Sequence, residues 1–210
     1  MMPSRLFSAY VTQADHESPP HDRGPDKRQR QYLEGRRCAN QALLKAGFKG
    51  ADCIIEKGLN GEPIWPLGWV GSITHTQGYT AAAVARSIHL RGMGIDSEPI
   101  MSLDSAQKTQ HRILTQNEAD RASTSIPFSN PIFVTLVFSA KESIYKCLRP
   151  HVSDFFGFQG AEIFAIDQSL GQFQFRLTKK IGHEFVAGWV GLGRFYFNKQ
   201  LVHTSVELNL

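Results

Sequence analysis

Two carboxylates stand two residues apart, Asp96 and Glu98, in the segment GMGIDSEP, residues 92–99, at the end of an otherwise apolar run. Alternate side chains of a strand share a face, so both point one way with Ser97 opposite. Like charges this close repel, and if buried each prefers to take up a proton. A divalent cation removes that penalty and needs oxygen ligands in any case. A bare D-x-E also fits the solvated face of an edge strand. A third carboxylate on a rigid element strengthens the metal reading, because Mg²⁺ takes a few carboxylates together with water and phosphate oxygens in near-octahedral geometry. Glu142 in FSAKESIYKCL, residues 138–148, is that candidate, with Lys146 four residues further on. The same two residues equally read as an ordinary i,i+4 helix pair worth about 0.3–0.5 kcal/mol.

Thr74 and His75 close the segment GWVGSITHT just before a glycine-containing turn, where a polar pair can address a ligand. His75 alone also suits a core imidazole bonded to backbone, and no second histidine stands at a zinc-like interval from it. The densest basic stretch is DKRQRQYLEGRR, with Lys27, Arg28, Arg30, Arg36 and Arg37 within eleven residues. It reads either as an anion site or as the solvated face of a helix.

These residues need elements to position them. Residues 12–26, rich in Pro, Asp, His and Ser, read as a loop. From about 26 to 46, Leu33, Ala39, Ala42, Leu43 and Ala46 recur at helical spacing, and Gly47 supplies a stop. ADCIIEK, GSITHT, YTAAAVA and GMGIDSE read as strands, and residues 104–123 as one weakly amphipathic helix. The strongest helix spans 131–149, opened by Pro131 and ended by Pro150. Its spacing puts Ser139, Glu142 and Lys146 on one side, with Val137, Phe138, Ile144 and Leu148 supplying buried contacts. AEIFAID, QFQFRLTK, EFVAGWVGLGRFYF and LVHTSVEL follow as antiparallel strands. The layout is helix then strands, twice, which predicts an α+β fold with an N-terminal half at 1–92 and a C-terminal half at 93–210.

At 210 residues and 41% apolar, the chain can bury a core without staples. Cys38, Cys53 and Cys147 are odd in number and far apart, so reduced cytoplasmic thiols are expected rather than a disulfide framework. No stretch has signal-peptide or membrane-span character. The net charge of +4 and isoelectric point near 9.0 favour anionic partners. No stretch interleaves aromatic residues with Lys and Arg in the pattern of a sheet face, which argues against a nucleic-acid module.

Taken together, WPLGWVGSITHT, GMGIDSEP and FSAKESIYKCL, in this order, with KRQRQYLEGRRCANQALL at residues 27–44, resemble the 4′-phosphopantetheinyl transferases of the surfactin and enterobactin type, more closely the enterobactin branch. The resemblance covers most of the chain. It implies a pseudodimer of two similar helix-plus-antiparallel-sheet halves with coenzyme A in the cleft between them. It further implies that Asp96, Glu98 and Glu142 hold Mg²⁺ against the coenzyme A pyrophosphate, with Lys146 beside it and Glu142 as candidate base. Thr74 and His75 would contact coenzyme A phosphates, and Arg36 with the cluster from Lys27 to Arg30 its 3′-phosphate end. Two departures stand out: Thr74 replaces the family's usual serine, and Glu62 falls where surfactin-type members carry lysine. The implied reaction moves 4′-phosphopantetheine from coenzyme A to a serine of an apo acyl or peptidyl carrier protein, releasing 3′,5′-ADP, by a monomer. The rival readings are a Mg²⁺-dependent phosphohydrolase or nuclease, which also needs a carboxylate cluster, and a basic nucleic-acid-binding module. Apolar residues in FFGF, residues 155–158, would either meet the carrier or pack under the second sheet.

Overall fold

The computed structural model describes residues 10–15, 25–50, 54–59, 61–124, 130–152, 155–198 and 200–210. The expected loop at 16–24, the start of ADCIIEK with Cys53, and the side chain of Lys27 lie outside the described residues. Contacts divide the chain into one unit of Met1–Met93 with Leu208–Leu210 and a second of Gly94–Glu207.

In the first unit, the helix α1 (Pro25–Lys45) runs close to the predicted span. Its end is a Schellman cap: Gly47 takes φ +89°, Phe48 N donates to Leu43 O at 2.9 Å and Gly47 N to Leu44 O at 3.0 Å. Cys38, Ala39, Ala42 and Leu43 form its buried face, packed with Ile55, Trp69, Ala82 and Val84. The partner is a three-stranded antiparallel sheet in the order β1 (Tyr10–Asp15), β5 (Tyr79–Arg86), β4 (Trp69–Thr76). β1 corrects the loop expectation over 12–15, because pairing along β5 supplies backbone hydrogen bonds that the polar local composition does not advertise. β2 (Glu56–Lys57) and β3 (Pro63–Ile64) form a small separate ribbon.

The second unit carries a five-stranded sheet in the order β6 (Leu90–Pro99), β10 (Leu201–Asn209), β9 (Val190–Phe197), β8 (Gln172–Leu177), β7 (Ala161–Asp167). The helix α4 (Asn130–Leu148) lies on it, burying Phe133, Val134, Leu136, Val137, Ala140, Ile144 and Leu148. On the sheet, Phe173, Phe175, Leu177, Val202 and Val206 are buried. The single helix expected over 104–123 is two, α2 (Leu103–Ile113) and α3 (Gln116–Thr124). Leu114 between them is extended, and Thr115 with Glu118 makes a capping box: Glu118 N donates to Thr115 Oγ1 at 3.3 Å and Thr115 N to Glu118 Oε2 at 2.7 Å. The strand expected from Glu184 begins only at Val190, after a turn that needs Gly188 at φ +84°. Both units thus set one long helix against an antiparallel sheet, the α+β arrangement expected, with three strands in one sheet and five in the other.

Candidate functional site

β6 approaches α4 closely enough to exclude any side chain at the crossing. A Cβ added at Gly94 would lie 1.9 Å from Ser143 O and 2.7 Å from Cys147 N. Two residues further along the strand, Asp96 therefore faces the helix side that the sequence spacing assigns to Ser139, Glu142 and Lys146. Asp96 is 4% exposed and gripped on both oxygens: Oδ1 accepts from Lys146 Nζ at 2.7 Å and Oδ2 from Ser139 Oγ at 2.8 Å. Lys146 Nζ also donates to Ile95 O at 3.2 Å. Of the two readings of Glu142 and Lys146, the ordinary i,i+4 helix pair gives way to a Lys146–Asp96 bridge across fifty positions of sequence. On the opposite face of the strand, Ser97 Oγ lies 2.9 Å from His203 Nδ1 of β10, and the His203 ring stacks on Tyr196.

Glu98 and Glu142 are half-buried. Burial, then the charge of Asp96, pushes the Glu98 carboxyl from its ordinary 4.5 up to about 7, with Lys146 pulling it back and Glu142 adding to the rise. Burial also raises Glu142, opposed by Lys146 and reinforced by Asp96. The three carboxylates and the lysine are thus one coupled electrostatic group, short of positive charge. Such a donor set suits a hard divalent cation chemically, since a cation would offset the burial and repulsion that raise Glu98 and Glu142. Among the described residues, no group of three His, Cys, Asp or Glu side chains already converges on a single ion position. Asp96 Oδ1 turns to Lys146 instead.

Beside Glu142 opens a cavity of about 260 Å³, lined by Lys141, Glu142, Tyr145, Phe155, Phe156, Gly157, Phe158 and Ala161. In the FFGF segment Phe156 is buried, whereas Phe155 is 75% exposed with its ring 5.5 Å from that of Tyr145. Lys141, unread in the sequence apart from its motif, is buried and bonded to Glu118 Oε2 at 2.7 Å and to Ile113 O at 2.8 Å. Burial lowers its ammonium group, and Glu118 opposes that shift. The signal was available: a lysine among the inward positions of an apolar helix requires a buried partner.

The candidate residues of the first unit are less gathered. Thr74 and His75 obey strand alternation, so Thr74 is 1% exposed and His75 lies on the exposed side; His75 is not a core imidazole. Arg30 is exposed on α1, while Arg36 is half-buried, donates to Glu56 O at 3.2 Å and lies 4.6 Å over the Tyr32 ring. Six positions apart, the two arginines are offset by about 120° around the helix and do not form one cluster. Glu62 sits at the β2–β3 turn, where its carbonyl accepts from Gly58 N at 2.7 Å.

Comparison with known proteins matches most of the sequence. The family model of the 4′-phosphopantetheinyl transferase N-terminal domain matches residues 20–85, and that of the 4′-phosphopantetheinyl transferase superfamily residues 92–195. The 4′-phosphopantetheinyl transferase PptT of Mycobacterium tuberculosis is 33% identical over 169 residues, covering 77% of this chain and 69% of the relative. Npt of Nocardia iowensis, also a 4′-phosphopantetheinyl transferase, is 37% identical over 138 residues, 66% of this chain and 60% of the relative. Enterobactin synthase component D of Salmonella typhi is 35% identical over 153 residues, 71% of this chain and 61% of the relative. The matches to the last two thus span about three fifths of the relatives' own length. This chain belongs to the 4′-phosphopantetheinyl transferase superfamily.

Proposed function

We propose that the chain transfers the 4′-phosphopantetheine group of coenzyme A to a serine hydroxyl of an apo acyl or peptidyl carrier protein, giving the holo-carrier and 3′,5′-ADP. The observation that carries the reading is the coupled group of Asp96, Glu98, Glu142 and Lys146 at the β6–α4 crossing, in a chain of this superfamily. In the reaction the serine oxygen forms a bond to the phosphorus that bears the pantetheine arm. The pyrophosphate P–O bond breaks, and the adenosine bisphosphate leaves with the electron pair. Such displacements depend mainly on alignment and charge stabilisation.

Asp96, Glu98 and Glu142 are the residues that would hold Mg²⁺, which when bound would neutralise pyrophosphate charge and polarise the phosphorus. Lys146, pinned between Asp96 and the Ile95 carbonyl, presents a fixed ammonium group to the departing phosphate. Glu142 accepts the serine proton, directly or through water. Its raised proton affinity makes it a better base than an exposed glutamate, although coordination to a cation works against that. The apolar cavity beside Glu142 suits the uncharged pantetheine arm, and exposed Phe155 the carrier surface. Thr74, His75, Arg30 and Arg36 contact the coenzyme phosphates. The protein acts as a monomer in the cytoplasm, and its basic balance favours acidic carriers.

The test is intact-protein mass spectrometry of apo-carriers from nonribosomal peptide, polyketide and fatty acid synthases, incubated with the chain, coenzyme A and Mg²⁺. At least one carrier should gain one phosphopantetheine arm, with 3′,5′-ADP released in equal amount, and chelator should stop the gain. Hydrolysis of coenzyme A without carrier modification would instead mark a phosphohydrolase.

A further inference from the structure

The Asp96 carboxylate ends a buried run of hydroxyl groups. Ser139, Ser143 and Thr204 are all buried, so their hydrogen bonds are made within the protein. Ser139 Oγ reaches Asp96 Oδ2 at 2.8 Å and Thr204 Oγ1 at 2.9 Å. Thr204 Oγ1 lies 2.9 Å from Ser139 O and 2.7 Å from Ser143 Oγ. Each hydroxyl has a single proton, and Ser139 is the donor to Asp96 Oδ2. The Ser139 proton is therefore committed to Asp96. The contact between Ser139 and Thr204 can then be filled only by the Thr204 proton, which it shares with the Ser139 carbonyl. By the same count, the proton between Ser143 and Thr204 comes from Ser143, which also reaches Thr204 O at the longer distance of 3.2 Å. The three O–H dipoles run one way, from Ser143 through Thr204 and Ser139 to Asp96, and dipoles aligned in a buried chain reinforce one another.

We infer that Ser139 is a positioning residue for the coenzyme site: backed by Thr204 and Ser143, it fixes the rotation of the Asp96 carboxylate so that Oδ2 faces α4 and Oδ1 stays with Lys146. The chain also ties β10 to α4 at the level of the acidic strand. The inference rests on the reading that Asp96 belongs to the coenzyme A site. Without the Ser139 hydroxyl, Oδ2 loses a donor in a buried position and the carboxylate is released to turn. Partners that orient a ligating group commonly contribute about 10- to 100-fold in affinity or activity.

A double-mutant cycle on the full chain tests this, with coenzyme A binding measured by titration calorimetry in Mg²⁺ buffer. Ser139→Ala should weaken binding about 10- to 100-fold. Asp96→Asn should weaken it as well, and adding Ser139→Ala to Asp96→Asn should cost little more, since the serine acts through the aspartate. A purely structural serine would give losses that add. Thr204→Val, which keeps shape while cutting the chain one step back, should weaken binding less than Ser139→Ala; Thr204→Ser should restore the wild-type value. If Ser139→Ala does not fold, the same cycle is run with Thr204→Val. Wild-type affinity in Ser139→Ala, or full additivity with Asp96→Asn, overturns the inference while leaving the functional reading intact. Wild-type affinity in Asp96→Asn overturns both.

Discussion

Replacing Glu98 with glutamine should stabilise the metal-free protein, and by an amount that depends on pH. The folded chain holds this carboxyl at about 7 against an ordinary 4.5, chiefly because it is buried beside Asp96. Below 4.5 it is protonated in both the folded and unfolded chains, and the substitution changes nothing through charge. Between 4.5 and 7 the unfolded chain gives up the proton first, so rising pH increasingly favours unfolding of the wild type. Above that window both states are ionised and the full penalty stands. Allowing for solvent screening at a half-buried group, the penalty is about 1 to 2 kcal/mol. For a chain of this size each kcal/mol moves the melting temperature by about 2–4 °C. Melting curves of wild type and Glu98→Gln in excess chelator should nearly coincide at pH 5 and separate at pH 8, the variant melting higher. Adding Mg²⁺ at pH 8 should then favour the wild type, because only it retains all three acids. Equal melting at pH 8 in chelator, or the same offset at both pH values, would refute the claim that these carboxylates are short of a cation.

Asp96→Ala, Glu142→Ala and Lys146→Ala should each abolish most carrier modification while leaving circular dichroism unchanged; wild-type turnover in any of them removes that residue from the site. Turnover should fall with acidity as Glu142 takes up its proton, at a pH above that of an exposed glutamate because burial raises it. Gly94→Ala should cost about 1–3 kcal/mol or more in urea unfolding and lose activity, since its methyl group would collide with backbone atoms of α4. Lys141→Met should cost about 3–5 kcal/mol by stranding the buried Glu118 charge, and Lys141→Met with Glu118→Leu should recover part of that loss; a single substitution without effect would show that the pair does not anchor α4.

The parts that were legible in the sequence have local causes. α4 could be bounded because proline marks both ends and its apolar spacing is unbroken, and β4, β5 and β6 alternate or run apolar between turns. The acidic pair and its helix partners were visible as residue types at fixed intervals. What was not legible depends on contacts distant in sequence. β1 exists through its ladder with β5, and the break between α2 and α3 depends on Glu118, whose carboxylate caps one helix while accepting from Ile163 N and Lys141. Lys146 illustrates the same limit. Its neighbour four residues back was the obvious partner, but Asp96 is more deeply buried and gains more from a positive charge. For Ser139, helical spacing indicated the face but not the hydroxyl chain, because Thr204 lies sixty-five positions away.

The most direct test is a crystal structure with coenzyme A and Mn²⁺, read by anomalous scattering. A single ion is expected within about 2.0–2.3 Å of oxygens from Asp96, Glu98 and Glu142, with the coenzyme pyrophosphate completing its shell. Manganese bound elsewhere, or coenzyme seated with those three side chains too far apart to share an ion, would contradict it.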